Sequence, residues 1–259
     1  MTSYHAAVVA AMMLLLGEGQ CFDPCDIDLD CRPTQECIDW VCVDKQRCDG
    51  WCDPHYVTVD GADIHYQGVG LFVMAQYANN GQPDCEGLPD FQVLVEQEHR
   101  EGDTRVSYIR SLTLILPGLV ELNIGLSRQL SVISGAIPAG MNIRTLSVLP
   151  SPPRWRGAIV LRIETSFGLV VQFDGHLWAS AMIPAAYRNC MEGLCGNADG
   201  IDRNDLQTRQ GDDVSSLPPD EMSWLIGDSW RVKSGKPRVQ RLVKYYVSDL
   251  GPCKKSFFN

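Results

Sequence analysis

The sequence predicts an all-β body, sandwich-like and built from many short antiparallel strands, preceded by a small disulfide-rich module. Three observations predict it. From Tyr56 onward β-like runs recur at intervals of roughly ten residues. Turn signals such as Asp60-Gly61, Pro117-Gly118 and Asp174-Gly175 separate many of them. Seven of the eleven cysteines crowd between Cys21 and Cys52. Evenly spaced short runs divided by turn residues are the pattern of a sandwich or barrel, and 259 residues are enough for a large core.

Met1 to Gly19 (residues 1–19) is expected to be a secretory signal peptide. Ala6 to Leu16 forms an apolar run of signal-core length, and the small residues Gly17 and Gly19 follow it. Residues 20–47 form the cysteine-rich module, with Cys21, Cys25, Cys31, Cys37 and Cys42 in an acidic, proline-containing stretch that has few apolar side chains. Such a stretch cannot build a core, so disulfides must hold it. A zinc cluster is disfavoured because no C-x-x-C pair occurs and no histidine lies between Cys21 and Cys52.

Strands are expected at Tyr56 to Val59, Ile64 to Gln67, Leu71 to Tyr77, Phe91 to Gln97, Val106 to Leu116 and Val120 to Ile124. They continue at Leu130 to Ile133, Ile143 to Leu149, Ala158 to Glu164, Gly168 to Phe173 and Leu177 to Met182. Alternation is clearest in Ser111-Leu-Thr-Leu-Ile-Leu and Gln92-Val-Leu-Val-Glu, which predicts one buried and one wet face there. Pro218 to Trp224 is the expected helix, entered at its prolines. From Arg231 onward the charge inverts, with eight Lys or Arg against Asp249 alone, so residues 233–259 are read as a basic tail.

The net charge of −10 argues against a nucleic-acid partner for the body, and no apolar segment reaches the roughly 20 residues needed to span a bilayer. The cysteine content points to an oxidising, extracellular compartment. No Asn-x-Ser/Thr acceptor is present.

The richest candidate site is Gly193-Leu-Cys-Gly-Asn-Ala-Asp-Gly-Ile-Asp-Arg-Asn-Asp205. Asn197, Asp199, Asp202, Asn204 and Asp205 alternate with small residues, and a hard cation such as calcium takes six to eight oxygen ligands of this kind. One loop rarely completes that shell, so a distant carboxylate is expected. The loop is not an EF-hand: the Asp-x-Asp-x-Asp-Gly order is absent, and Thr208 stands where a bidentate Glu would close the site. Asn, Asp and Gly also cluster simply because they make turns.

With both ends of the β region read, the chain resembles the type D domain of von Willebrand factor, found also in gel-forming mucins, zonadhesin, tectorins and vitellogenins. The resemblance covers about Cys48 to Val232, giving a domain at residues 48–232. It rests on Cys48-Asp-Gly-Trp-Cys-Asp-Pro-His-Tyr-Val-Thr-Val-Asp-Gly61, on Tyr66-Gln-Gly with Phe72-Val-Met-Ala-Gln76, and on Thr165-Ser-Phe-Gly-Leu-Val-Val-Gln-Phe-Asp-Gly175. It rests further on Gly193 to Asp205 and on Gly227-Asp-Ser-Trp230.

The resemblance implies a calcium site with Asp60, Asn197, Asp199, Asn204 and Asp205 as ligands and the carbonyl of Ile201 as a sixth. It also implies the disulfides Cys48–Cys195 and Cys85–Cys190, the first closing a loop whose entropy is on the order of 5 kcal/mol at most. Two positions depart from the family pattern: Gly70 stands where a cysteine is usual, and Cys52 where a glycine is usual. Removing the four paired cysteines from eleven leaves seven: Cys21, Cys25, Cys31, Cys37, Cys42, Cys52 and Cys253. An odd number cannot pair within one chain, and Cys253, whose usual partner is replaced by Gly70, becomes the candidate for an intermolecular bond and a disulfide-linked homodimer or multimer.

Some relatives cleave themselves at the matching Asp-Pro bond, which makes Asp53, Pro54 and His55 a candidate autocleavage site. No Gly-x-Ser-x-Gly, His-Glu-x-x-His or phosphate-binding loop occurs, and no catalytic role is assigned. His55 and His65 fall in adjacent strands without a third ligand of the right type, so packed or exposed histidines are expected there. The sequence therefore predicts a secreted structural or adhesive protein, stabilised by calcium, that binds an extracellular protein or matrix component, or assembles, in a matrix, mucus or coat. The alternative is a soluble binding or inhibitory factor that engages a protease or growth factor through the cysteine-rich module.

Overall fold

A computed structural model describes residues 46–148 and 158–233, with backbone also at Gln35–Ile38, Val41–Asp44 and Arg241–Leu242. The chain divides into two compact units, Met1–Lys45 and Gln46–Asn259. In the first, β1 (Gln35–Ile38) and β2 (Val41–Asp44) pair antiparallel, with Cys37 and Cys42 opposite each other in register. The expected signal peptide, the rest of the expected cysteine-rich module, Cys253 and nearly all of the expected basic tail lie outside the described residues.

The second unit carries β3 (Gln46–Trp51), β4 (His55–Val57), β5 (Asp63–His65), β6 (Gly70–Tyr77), β7 (Gln92–Arg100), β8 (Asp103–Leu116) and β9 (Val120–Ile124). These are followed by β10 (Leu130–Gly135), β11 (Asn142–Val148), β12 (Ala158–Glu164), β13 (Val170–Phe173), β14 (Trp178–Ile183), β15 (Met191–Glu192) and β16 (Arg241–Leu242). The single α-helix among the described residues is α1 (Pro219–Ser229). The strands form two antiparallel seven-stranded sheets, ordered β15-β6-β7-β8-β9-β10-β16 and β11-β12-β13-β14-β3-β4-β5. The all-β class expected from the sequence is the class observed.

One continuous core joins the sheets. Phe72, Phe91, Leu112 and Leu114 from the first meet Leu161, Val171, Phe173, Ala179 and Ala181 from the second, all buried, and β8 lies against β3, β13 and β14. Burying a side chain such as Leu or Phe contributes about 1.5–3 kcal/mol each, so this shared interior holds the sheets face to face.

The strand positions follow the sequence closely, with three corrections. The first is β3, which the pattern does not predict because Cys48-Asp49-Gly50 is poor in β-formers; it becomes a strand by filling the space between β14 and β4. Gly50 is needed there, since a Cβ would lie 2.6 Å from the Tyr56 ring opposite it.

The second concerns α1, which runs past Trp224 to Ser229. The Gly227 that obscures this continuation sits where a Cβ would lie 2.2 Å from the Tyr66 ring.

The third is the expected wet face of Gln92 to Glu96 and Ser111 to Leu116, which is largely buried. Leu94, Thr113, Asn123 and Ser131 stand in one register row across β7 to β10 and cover one another. Asn123 donates to the Thr113 hydroxyl at 2.9 Å, so this polar row is satisfied within the sheet. Among the described residues no helix is long and apolar enough to cross a membrane.

Candidate metal centre

The β4–β5 hairpin and the acidic loop meet at one end of the second sheet. The hairpin turns at Asp60-Gly61, with Thr58 accepting at its carbonyl from Gly61 and donating its amide to Ala62. Its tip is docked by the Val59 N–H, which donates to the Cys195 carbonyl at 3.0 Å. The loop is anchored in turn on β6, where Leu194 and Cys195 donate to Val73 and Met74. Gly193 must be glycine because its φ is +138° and a Cβ would meet the Met74 carbonyl at 2.5 Å.

Two disulfides fasten this end. Cys48 is bonded to Cys195 with Cα atoms 5.5 Å apart, which ties β3 to the loop. Cys85 is bonded to Cys190 with Cα atoms 5.4 Å apart. Cys52, one of the seven cysteines to which the sequence assigns no partner, is disulfide-bonded.

The structure places five of the six expected residues in one hydrogen-bonded cluster of side chains. Asp60 reaches across from the hairpin, its two carboxylate oxygens accepting the N–H groups of Asp199 and Gly200 at 3.0 Å each. Asp199 accepts from Ile201 N–H at 2.8 Å and from the side-chain amides of Asn197 and Asn204 at 3.2 and 2.6 Å. Asp205 accepts the Asn197 N–H at 3.0 Å through Oδ1. Ile201, the expected carbonyl donor, follows in extended backbone with its side chain exposed, and Asp202 is exposed beside it.

The electrostatics of this cluster are unfavourable by themselves. Asp205 is only 7% exposed, and burial, reinforced by the charges of Asp60 and Asp199, raises its carboxyl to about 6 against the pull of Thr58 and the Asn197 amide. Burial and the Asp199 charge also raise Asp60, opposed by the two N–H groups it accepts. Two buried acceptors, Asn204 Oδ1 and Asp205 Oδ2, have no hydrogen-bond partner. Such orphans are costly, and a hard cation would satisfy both while neutralising the carboxylates.

The donor set therefore fits calcium: every side-chain donor is oxygen. No group of three or more His, Cys, Asp or Glu poised to hold a metal occurs among the described residues, since Asp60 is turned to backbone amides and two of the candidate ligands are Asn.

Sequence reasoning missed three supports of this centre. Thr58 stands beneath Asp205, Arg188 holds the Asp199 carbonyl at 2.7 Å, and Gly196 leaves room for Asp205, whose Oδ1 would lie 2.0 Å from an added Cβ. Thr58 and Gly196 lay in motifs already marked, Cys48 to Gly61 and Gly193 to Asp205, whereas Arg188 had no signal.

The candidate autocleavage residues form the β3–β4 turn. Cys52 has φ +54°, and Asp53 Oδ1 lies 3.2 Å from His55 Nε2. Burial works to raise the Asp53 carboxyl, but the hydrogen bond and charge of His55 prevail and lower it.

A family model described as the von Willebrand factor type D domain matches residues 48–212. Alpha-tectorin of Homo sapiens is 28% identical over 206 residues, 78% of this chain and 9% of that protein. Zonadhesin of Sus scrofa is 30% identical over 228 residues, 85% and 8% of the two chains. Hemocytin of Bombyx mori is 27% identical over 210 residues, 80% and 6%. The chain thus spans under a tenth of the length of these relatives.

Proposed function

Because the chain belongs to the von Willebrand factor type D domain family, we propose that it acts outside the cell as a structural or adhesive protein whose domain is stabilised by calcium. It would work by binding a matrix component or by disulfide-linked assembly in a matrix, mucus-like layer or coat. The observation that carries this reading is the convergence of Asp60 with the 197–205 loop, which leaves Asn204 Oδ1 and Asp205 Oδ2 buried without partners. A bound calcium would supply positive charge to these oxygens and nothing more. Asp60, Asn197, Asp199, Asn204 and Asp205, with the Ile201 carbonyl, would hold it.

The chain's own groups do the rest. The Cys48–Cys195 bond and the Val59 N–H fix the hairpin tip against the loop, so the oxygens stay clustered and a recognition surface keeps its shape. Names among the relatives, such as alpha-tectorin and zonadhesin, agree with an extracellular setting.

The deciding experiment is intact mass of the secreted protein under non-reducing native conditions, before and after calcium chelation and then after reduction. A disulfide-linked dimer or ladder that carries calcium supports assembly, with Cys253 as the first residue to test. A calcium-bearing monomer moves the reading to a soluble binding factor.

The Asp53–His55 bond favours a second, compatible reading, self-processing at Asp53–Pro54: the carboxylate attacks its own carbonyl, the C–N bond to Pro54 breaks as His55 delivers a proton to the proline nitrogen, and water opens the cyclic anhydride left on Asp53. Acidification should then release a fragment beginning at Pro54, and Asp53→Ala should abolish it.

A further inference from the structure

At the other end of the β4–β5 hairpin, His55 and His65 stand directly opposite each other. Their Nδ1 atoms are 2.5 Å apart, with ring centroids at 4.6 Å and planes at 77°. Two N–H groups cannot face each other at that distance, so at least one lone pair points into the gap.

Asp53 settles which one. Its carboxylate only accepts, and it lies 3.2 Å from His55 Nε2, so that nitrogen carries the proton and Nδ1 of the neutral ring is bare. A carboxylate that holds the far N–H of an imidazole is how metal-binding histidines are oriented and made more basic.

His65, on the other strand, is held by the helix: its backbone N–H donates to Ser223 Oγ at 3.0 Å, which secures β5 to α1. β5 is the edge strand of its sheet, and His65 is exposed. The carboxylates of Asp63, Asp53 and Asp220 act on it by charge, in the opposite sense to burial and to His55.

We infer that His55 and His65 form a two-nitrogen site for a divalent transition-metal ion of the zinc, copper or nickel class, separate from the oxygen cluster at Asp60. The two Nδ1 lone pairs bind the ion, the proton between the rings moves to His65 Nε2, and water fills the remaining positions. With metal–nitrogen bonds of about 2.0–2.1 Å in tetrahedral geometry the two nitrogens must part to roughly 3.3 Å, which a small rotation of the exposed His65 ring provides. Calcium does not compete, because imidazole suits borderline metals and carboxylate and carbonyl oxygen suit calcium. Two protein ligands with open positions give modest affinity, and two neutral rings bind the ion with no net loss of a proton.

The test is a calorimetric titration of the full secreted chain with zinc, in saturating calcium and with free thiols blocked by N-ethylmaleimide, repeated in buffers of different ionisation enthalpy to count protons. Cobalt absorbance gives an independent readout of nitrogen coordination. One zinc per chain with no net proton release is expected at a pH where both rings are neutral. His65→Gln, on an exposed edge strand, should lose the site while circular dichroism and calcium binding stay unchanged. Asp53→Asn should weaken zinc by roughly 10–100-fold, the cost of losing a supporting carboxylate. Zinc affinity unchanged in His65→Gln, or no zinc bound by the thiol-blocked wild-type chain, would overturn the assignment.

Discussion

The two ends of one short hairpin use opposite chemistry. At its tip, Asp60 joins Asp199, Asp205 and two Asn side chains from a loop about 140 residues away in sequence, and every donor is oxygen. At its open end, His55 and His65 face each other within the hairpin itself, and both donors are nitrogen. The tip depends on long-range closure, whereas the open end depends only on the register of two adjacent strands. Whatever loosens the loop should therefore strip the tip of its metal affinity and leave the open end almost untouched.

Breaking the closure has the largest expected effect. Cys195→Ser removes the bond that closes 147 residues and should lower stability by up to about 5 kcal/mol, as read by denaturant unfolding. In the folded fraction calcium affinity should collapse while zinc binding at His55 and His65 persists. Parallel loss of both would mean the two ends form one cooperative unit.

Asp205→Asn comes next. Calcium affinity should fall by at least the roughly 10–100-fold typical of losing a supporting partner, measured by calorimetry. With calcium chelated, the same variant should melt no lower than wild type, because the amide removes a buried charge that burial already disfavours.

Acidity separates the two states of the tip. In the folded, calcium-free protein Asp205 has a carboxyl raised to about 6, above its unfolded value, so the folded state binds more protons between the two. Stability of the chelated protein should therefore fall as pH rises through that window, by at most about 3 kcal/mol. Calcium affinity should rise over the same window, since the ion requires the ionised carboxylate. Melting curves from pH 4 to pH 7 with and without chelator check both signs.

The smallest effect belongs to Gly61→Ala. Nothing lies within 4 Å of the added Cβ, but φ is +102°, so backbone strain alone should cost about 1–2 kcal/mol. It should weaken calcium modestly and leave zinc unchanged.

Most of the sheet structure was readable because strand and turn signals are local. Ala158 to Glu164 is found with the expected bounds, and Asp174-Gly175 turns β13 into β14 through three amides donated to Asp174 Oδ1. β3 was not readable, since Cys48 to Gly50 gains its strand conformation only from neighbours on both sides. The oxygen cluster was half readable: composition marked the loop, but only a motif far upstream pointed to Asp60. Arg188 gave no signal, and the motif that holds Gly196 did not reveal its closeness to Asp205, because both roles are contacts made only in the fold. The opposition of His55 and His65 was half visible as adjacent strands, while the tautomer set by Asp53 belongs to side-chain geometry that no spacing encodes.

The Cys48–Cys195 bond also decides how the molecule bears tension. If the chain is pulled from its two ends, as happens to any component of a stretched layer, the force enters at Cys48, crosses the sulfur bridge and leaves at Cys195. The 147 residues between them, about 500 Å of contour at full extension, are bypassed, with the Cys85–Cys190 link nested inside them. The strands from β4 to β15 and the histidine pair, which lie between the two cysteines, can thus stay folded under load, whereas the 197–205 loop of the oxygen cluster lies outside the bridge and feels the force directly. Reduction of that one bond would turn an inextensible joint into a long, compliant tether.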